Sequence, residues 1–203
     1  MRSVWTVFVV VSIVVGAIVY ALILAPLLFW RAKPGRLPAR FSRNVPVEIV
    51  STLVPLAIVA GLFYITDAKE SRVDALQPHP FAIVDVTAFR WSWSFDYPGT
   101  HVQIAGSPRE PPELVLARGE TTQIDLRTAD VNHSFWVPDF LYKRDAIPGM
   151  VNRFDFTPTR TGVFRGACAA FCGLDHTLMT FTVRVVTPPA YRRWIASGGV
   201  VRP

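Results

Sequence analysis

The sequence predicts a membrane anchor of two helices followed by an all-β domain of the Greek-key barrel or sandwich class. Two long apolar runs occupy most of the first 66 of its 203 residues, and a basic segment separates them. After residue 80, short stretches rich in β-branched and aromatic residues alternate with turn residues. This second pattern is typical of sandwiches and barrels built from short strands.

Two apolar runs predict the anchor. The first, residues 4–30, contains no charged residue, and the second, residues 45–66, contains only Glu48. Each exceeds the roughly 20 residues that a helix needs to cross the hydrocarbon core. A cleaved signal peptide would have a shorter apolar region and a cleavage site of small residues. We therefore predict two retained transmembrane helices, which form a hairpin anchor over residues 1–66.

The charge distribution predicts how the anchor is oriented. The segment between the runs carries four arginines and a lysine without any acidic residue, which favours the cytoplasmic side. Both chain ends then lie outside. From residue 67 onward the chain has 15 basic and 14 acidic residues, so the outer part is nearly neutral although the whole chain carries +6. The charge therefore gives no support to a nucleic-acid-binding function.

Changes in composition predict the domain boundaries. Residues 67–80 are polar and end in QPHP, which indicates a linker. Residues 81–187 contain six to nine predicted strands, among them TQIDLR and FTVRVV, in which apolar and polar residues alternate. Residues 188–203 form a tail in which PPAYRRWIAS favours a helix.

Both cysteines of the chain lie in GACAAFCGLDHTLM, residues 166–179. A disulfide between Cys168 and Cys172 would close a small and strained ring. His176 and Met179 follow them closely, and His133 lies in an upstream predicted strand. Thiolates, imidazoles and a thioether favour copper, and two coppers bridged by both thiolates would use every ligand. A zinc site of two cysteines and two histidines, or a disulfide, is the alternative.

The pattern C-x-x-x-C-x-x-x-H-x-x-M, with an upstream H-S-aromatic segment and D-A-I-P-G, closely resembles subunit II of the haem–copper oxidases. The resemblance extends over nearly the whole chain. It implies a cupredoxin domain with the mixed-valence dinuclear copper centre CuA. Two thiolates would bridge the coppers, each histidine would cap one copper, and a thioether and a backbone carbonyl would bind weakly. The implied ligands are Cys168, Cys172, His133, His176, Met179 and the carbonyl of Ala170.

The resemblance also implies roles for residues that do not bind copper. Trp91 in AFRWSWSFDY matches the tryptophan through which electrons enter, although strands also favour aromatic residues for packing. Glu48 matches a glutamate at the mouth of a proton channel of subunit I; the alternative is a simple acid at a helix end. Asp96 and Asp130 match acids that steer the donor cytochrome; the alternative is a solvated acid without a partner.

Two positions depart from the family pattern. Ser51 stands where the family usually has a tryptophan, near the start of the second helix. Ala170 stands where the family commonly has a glutamate that also binds magnesium or manganese. The backbone carbonyl of Ala170 is unaffected, but the side-chain ligand is lost. We therefore expect no magnesium site from this chain.

The resemblance implies a respiratory function. The chain would accept electrons from a c-type cytochrome at CuA and pass them to haem in subunit I, where oxygen is reduced to water and protons are translocated. Its partners would be subunit I, the other oxidase subunits and the cytochrome, in a bacterial plasma membrane with the copper domain outside. One alternative is a copper-binding delivery protein of oxidase assembly, which needs a single copper. The other is a quinol-oxidase subunit, which lacks the copper ligands.

Overall fold

The computed structural model of the chain describes residues 2–29, 35 and 43–200. Within the chain, residues 1–72 and residues 73–203 form two compact units. The first unit contains two apolar helices, and the second contains two β-sheets and a short helix.

Two helices carry the apolar runs. Helix α1 spans Arg2–Phe29, and helix α2 spans Val45–Asp74. Both are long and apolar enough to cross a membrane, and no residue in their most apolar windows is buried. Trp30 and the basic residues of the predicted loop, except Arg43, lie outside the described residues.

Helix α2 extends beyond the end predicted from the sequence. The apolar run ends at Thr66, but the helix continues to Asp74 through the charged segment DAKESRVD, which we assign to the linker from the sequence. Alanine, lysine, glutamate and arginine are among the best helix formers. The end of the apolar run therefore marks a change in polarity and not the end of the helix, and the predicted helix end at residue 66 is wrong.

The second unit contains ten strands among the described residues. They are β1 (Ala82–Phe89), β2 (Ser92–Asp96), β3 (Gln103–Ala105), β4 (Glu113–Ala117), β5 (Thr122–Thr128), β6 (His133–Val137), β7 (Tyr142–Ala146), β8 (Asn152–Phe156), β9 (Gly162–Cys168) and β10 (Thr180–Val186). One sheet has the order β3-β2-β1-β5-β8, and the other has the order β4-β10-β9-β6-β7. The pairs β1–β5 and β4–β10 are parallel, because the chain crosses between the sheets instead of running through simple hairpins.

Strand β7 is absent from the six to nine strands predicted. Its sequence, YKRDA, is rich in charge and resembles a loop. Among the described residues it forms the edge of its sheet, where it pairs with β6 on one side and with no strand on the other. Edge strands commonly carry charged residues, which discourage pairing with other chains. Such a strand lacks the apolar alternation by which we identify the others.

An aromatic cluster joins the two sheets. Trp93 on β2 is fully buried, and its ring centroid lies 5.8 Å from that of Phe135 and 5.2 Å from that of Phe181. Phe135 on β6 and Phe181 on β10 stack at 4.7 Å. The Trp93 ring also approaches the imidazole of His133, at 6.4 Å. The cluster therefore packs directly beneath the end of the domain at which β6 begins.

The helix predicted in the C-terminal tail is present. Helix α3 spans Pro188–Ala196 and begins with two prolines, which suit the first turn of a helix. Its residue Tyr191 is buried, and the ring of Trp194 lies 5.1 Å from that of Tyr97. The helix therefore packs on the β domain through its aromatic side.

Gly166 allows the aromatic cluster to pack as closely as it does. It lies opposite Phe181 in the β9–β10 pair, and a Cβ atom at Gly166 would be 2.2 Å from the Phe181 ring. We expect Gly166→Ala to lower the free energy of unfolding by about 1–3 kcal/mol through overpacking. Urea unfolding followed by tryptophan fluorescence measures the change.

The double variant Gly166→Ala/Phe181→Leu tests the cause. Because the smaller side chain makes room for the new methyl group, the double variant should lose less stability than the sum of the two single variants. Strict additivity would show that the ring contact is not the source of the loss.

Candidate metal centre

The predicted metal ligands come from three segments that meet at one end of the second unit. His133 is the first residue of β6, and Cys168 is the last residue of β9. These strands are antiparallel neighbours, with Phe135 opposite Cys168. Residues 169–179 connect β9 to β10 and carry the other predicted ligands. Strand pairing therefore brings the upstream histidine beside the loop that carries the second cysteine.

Each thiol has an imidazole beside it. The sulfurs of Cys168 and Cys172 are free thiols 3.9 Å apart, whereas a disulfide bond measures about 2.05 Å. The Cys168 sulfur lies 3.8 Å from Nδ1 of His133. The Cys172 sulfur lies 3.5 Å from Nδ1 of His176.

Each thiol also has a weaker donor beside it. The thioether sulfur of Met179, which is fully buried, lies 3.7 Å from the sulfur of Cys172. The carbonyl oxygen of Ala170 lies 3.2 Å from the sulfur of Cys168. All six predicted ligands are thus brought together. Soft sulfur donors combined with imidazole nitrogens fit copper.

Asp130 fixes the orientation of His133. The imidazole is fully buried, and its Nε2 lies 2.9 Å from Oδ1 of Asp130. The carboxylate also accepts hydrogen bonds from the backbone N–H groups of Arg90 and Val131. An imidazole whose Nε2–H donates to a carboxylate keeps its Nδ1 lone pair for a metal, and this Nδ1 faces Cys168. From the sequence we predict Asp130 only as a docking acid. Its position three residues before His133, in the pattern D-x-x-H, is the signal that could have identified its contact with the imidazole.

The contact between Asp130 and His133 changes the acidity of both groups. Burial raises the pKa of Asp130, but hydrogen bonds from His133, Arg90 and Val131 outweigh burial and lower this pKa well below its ordinary value. Burial lowers the pKa of His133, but its contacts with Cys168 and Asp130 outweigh burial and raise it. Asp130 is therefore a carboxylate at neutral pH and a permanent acceptor for the imidazole.

The two thiols differ in acidity. Burial raises the pKa of Cys168, but the hydrogen bonds with His133 and with the backbone at Ser134 outweigh burial and lower it below its ordinary value. Burial and the charge of Cys168 raise the pKa of Cys172. Metal binding to both thiolates therefore has to release a proton that the protein alone holds firmly.

Trp91 lies directly against the cysteine loop. Its Nε1–H donates to the carbonyl oxygen of Cys172 at 3.1 Å, and the indole is half-buried. Gly173 has a φ of 121°, and a Cβ atom there would be 3.1 Å from Nε1 of Trp91. Glycine therefore permits both the backbone conformation and the close approach of the ring. Gly173 is not among the residues that we predict from the sequence. A glycine directly after the predicted ligand Cys172 is the signal that could have identified it.

The two predicted docking acids lie at opposite ends of the β1–β2 hairpin. Asp130 contacts Arg90 in the turn of the hairpin, next to Trp91. Asp96 is the last residue of β2 and lies opposite Asp85 on β1. Of the two acids, Asp130 is thus the one that neighbours Trp91.

Glu48 lies at the start of α2 and is exposed. Its Oε1 accepts a hydrogen bond from the backbone N–H of Asn44 at 3.3 Å, and Oδ1 of Asn44 accepts one from the backbone N–H of Val47 at 3.4 Å. These reciprocal bonds resemble a capping box, which satisfies N–H groups at the start of a helix. Ser51 donates its hydroxyl to the carbonyl oxygen of Glu48 at 3.1 Å. Glu48 therefore has a structural contact at the helix start.

Comparisons with known proteins agree with this geometry. Residues 109–186 match the family model described as the periplasmic domain of cytochrome c oxidase subunit II. A probable cytochrome c oxidase subunit 2 of Streptomyces coelicolor is 36% identical over 90% of this chain and 70% of its own length. A cytochrome c oxidase subunit 2 of Mycobacterium tuberculosis is 31% identical over 96% of this chain and 70% of its own length. The chain belongs to the cytochrome c oxidase subunit II family.

A solved structure is similar to the β domain of this subunit II chain. The periplasmic domain of subunit II of cytochrome oxidase from Bradyrhizobium japonicum aligns with a TM-score of 0.55 and 28% identity. The alignment covers 61% of this chain and 96% of that domain. The fold class predicted from the sequence, two helices followed by an all-β cupredoxin domain, is confirmed.

Membership of the subunit II family bears on three predictions. The resemblance to haem–copper oxidase subunit II is confirmed, and members of this family are components of an oxidoreductase complex. The family implies copper binding, for which His133, Cys168 and Cys172 supply donor atoms within 4.8 Å of one another. Two membrane-capable helices and a periplasmic-domain match indicate a membrane-anchored chain with an extracytoplasmic domain.

Replacing Asp130 tests its effect on His133. We expect Asp130→Ala to weaken copper binding about 10- to 100-fold, because the imidazole loses the acceptor that holds its Nε2–H. Titration of the metal-free protein with copper in the presence of a competing chelator measures the affinity. Asp139→Ala is the control, since Asp139 forms an exposed ion pair with Arg160 at 3.2 Å. Equal affinities of the two variants would contradict the orienting role.

Proposed function

We propose that this subunit accepts electrons one at a time from a c-type cytochrome at a dinuclear copper centre and passes them to haem in subunit I. In subunit I, oxygen is reduced to water and protons are translocated. Membership of the family supports the oxidase role. The observation that carries the two-copper centre is the pair of adjacent thiols with a separate imidazole beside each.

The positions of the imidazoles favour two metal ions over one. Within the described residues, the donor atoms of His133, Cys168 and Cys172 lie within 4.8 Å of one another, while His176 stands outside this group beside Cys172. Around one tetrahedral zinc ion, all four donors approach one another within about 4 Å. The proposed ligands are therefore the bridging thiolates of Cys168 and Cys172, Nδ1 of His133 and of His176, the thioether of Met179 and the carbonyl oxygen of Ala170.

The chain contributes rigidity to this centre. Two coppers held by the thiolates of Cys168 and Cys172 would share an unpaired electron, so a change of oxidation state would require little movement. The protein keeps the donors in place through its backbone: the N–H of Cys168 donates to the carbonyl oxygen of Met179 at 2.9 Å, and the N–H of Met179 donates to that of His176 at 3.2 Å. Buried ligands also exclude water from the metal.

We assign the entrance of electrons to Trp91. Its half-buried indole offers an accessible edge, and its Nε1–H is bonded to the carbonyl oxygen of Cys172, a proposed bridging ligand. A single hydrogen bond therefore connects the ring with the backbone of that ligand. The absence of a side chain at Gly173 permits this contact.

The remaining assignments rest on the family resemblance. We assign Glu48 to the mouth of a proton channel of subunit I, in addition to its contact at the start of α2. We assign Asp130 and Asp96 to the docking of the donor cytochrome. The copper domain would lie on the outer side of a bacterial plasma membrane. No magnesium site is proposed, because Ala170 has no carboxylate to offer.

Copper content and magnetic resonance test the proposed centre. We expect the purified chain in detergent to bind two coppers, with one unpaired electron that couples to both copper nuclei in its electron paramagnetic resonance spectrum. His176→Ala should abolish the shared signal, because one copper loses its imidazole. His101→Ala is the control, since His101 is exposed. A single localised copper in the parent protein would contradict the proposal and favour a delivery protein.

Trp91→Phe tests the proposed entrance of electrons. We expect a reduced c-type cytochrome to reduce the copper centre about tenfold more slowly or worse, since misplacing reacting groups by about 1 Å can cost larger factors. Stopped-flow absorbance at equal copper content measures the rate. Trp194→Phe is a matched control, because Trp194 also donates its Nε1–H to a backbone carbonyl, that of Gly199 at 3.0 Å. Equal rates in the two variants would exclude Trp91 as the entrance.

A further inference from the structure

A cavity of about 400 Å³ lies between helix α3 and the sheet that contains β4 and β10. This volume is within the range of roughly 300–1,000 Å³ that small-molecule sites occupy. Val115 on β4 and Val186 on β10 line the cavity from the sheet, and Ala190 and Trp194 line it from the helix. The walls are therefore largely apolar, as in most sites for small molecules.

Contacts within the β domain hold the walls of this cavity in place. Tyr191 of α3 is buried, and the ring of Trp194 lies 5.1 Å from that of Tyr97. The Nε1–H of Trp194 donates to the carbonyl oxygen of Gly199 at 3.0 Å, so the chain that follows the helix folds back beside the ring. Gly198 and Gly199 have φ values of 71° and 79°, which glycine adopts readily at the end of a helix. The cavity is therefore formed without a ligand.

The charged side chains that line the cavity are both cationic. They are Arg184 and Arg193, and no acidic residue is among the lining residues. Arg184 is paired with Glu113, at 2.7 Å. Arg193 is exposed and, within the part of the chain that the structure describes, its guanidinium forms no ion pair. Two guanidinium groups beside one carboxylate leave this place with a net positive charge, which the anionic group of a ligand would neutralise.

We propose that this cavity binds an amphipathic organic carboxylate. Its apolar body would lie between Val186 and Trp194, and its carboxylate would accept hydrogen bonds from the guanidinium of Arg193. A guanidinium offers two parallel N–H donors that match the two oxygens of a carboxylate. A small inorganic anion would leave the apolar walls in contact with water, and a neutral apolar molecule would leave the guanidinium without an acceptor.

The proposed site is separate from the candidate metal centre. Arg184 and Val186 lie in the last part of β10, whereas the cysteine loop joins this strand at Thr180. The strand has seven residues, which span about 20 Å. Binding of the carboxylate therefore requires no copper, and this inference and the proposed function can fail independently of each other.

Fluorine NMR of the full-length chain in detergent tests the inference. Fluorotryptophan replaces tryptophan, and the resonance of Trp194 is assigned by its absence from the variant Trp194→Phe. The probe is naphthoate, which combines an aromatic body with one carboxylate. Naphthamide is the matched control ligand, because it has the same ring system and no charge.

We expect naphthoate to shift the Trp194 resonance in a saturable manner, and naphthamide to bind about tenfold more weakly, since it offers Arg193 no anion. Arg193→Gln should weaken naphthoate binding about tenfold, whereas Arg192→Gln should leave it unchanged. Arg192 is the matched control because it is also an exposed arginine of α3, but its guanidinium lies over the ring of Phe81, at 5.9 Å, and does not line the cavity.

Ala190→Leu tests whether the cavity itself is the binding site. The larger side chain fills part of the space, so the saturable shift of Trp194 should disappear. The resonances of the other tryptophans should keep their parent positions, which shows that the fold is retained. If they move, the comparison of the two arginine variants decides the question.

Several results would overturn the inference. They are the lack of a saturable shift of Trp194 in the parent chain, equal affinities for naphthoate and naphthamide, equal affinities of the two arginine variants, and an undiminished shift in a folded Ala190→Leu variant. A simultaneous shift of all tryptophan resonances would show that the probe enters the detergent and not a site, and it would count against the inference as well.

Discussion

The pairing of β6 with β9 is the constraint on which the candidate metal centre depends. It sets Phe135 opposite Cys168, and the N–H of Ala169 continues the contact by donating to the carbonyl oxygen of Ser134 at 3.0 Å. His133, at the start of β6, therefore lies beside the cysteine at the end of β9. Because Phe135 also stacks in the aromatic cluster, a shift of either strand would disturb the core. The geometry of the proposed ligands is thus secured by backbone hydrogen bonds and by packing.

Two further contacts connect this centre to the surface. Asp130 bonds to His133 on one side and to the backbone of Arg90 on the other. Trp91, the next residue, bonds to the carbonyl oxygen of Cys172. The hairpin turn is therefore bonded to the carboxylate that orients the proposed ligand His133, and to the backbone of the proposed ligand Cys172. If electrons enter at Trp91, the position of the indole relative to the metal is determined by the same bonds that orient the ligands.

The loop between β9 and β10 contains both buried and highly exposed side chains within eleven residues. Cys172 and Met179 are buried against the domain, while Phe171 and Leu174 are almost fully exposed. Within the part of the chain that the structure describes, the loop pairs with no strand along most of its length, so neighbouring side chains can point in opposite directions without regular alternation. A loop of this kind can hold a metal inward and present an apolar contact outward.

The sequence by itself determined the properties that depend on local pattern: two apolar helices, a β domain, and a set of sulfur and imidazole donors at close spacing. Where local pattern is ambiguous it failed, as at the end of α2, where charged helix formers continue the helix, and at β7, where an edge strand carries charge. Only the tertiary structure decided that Asp130 accepts a hydrogen bond from the backbone of Arg90 and that Trp91 lies on Gly173. These contacts join residues on different strands and loops. Their partners are set by how the sheets pack, a property that no short segment of sequence contains.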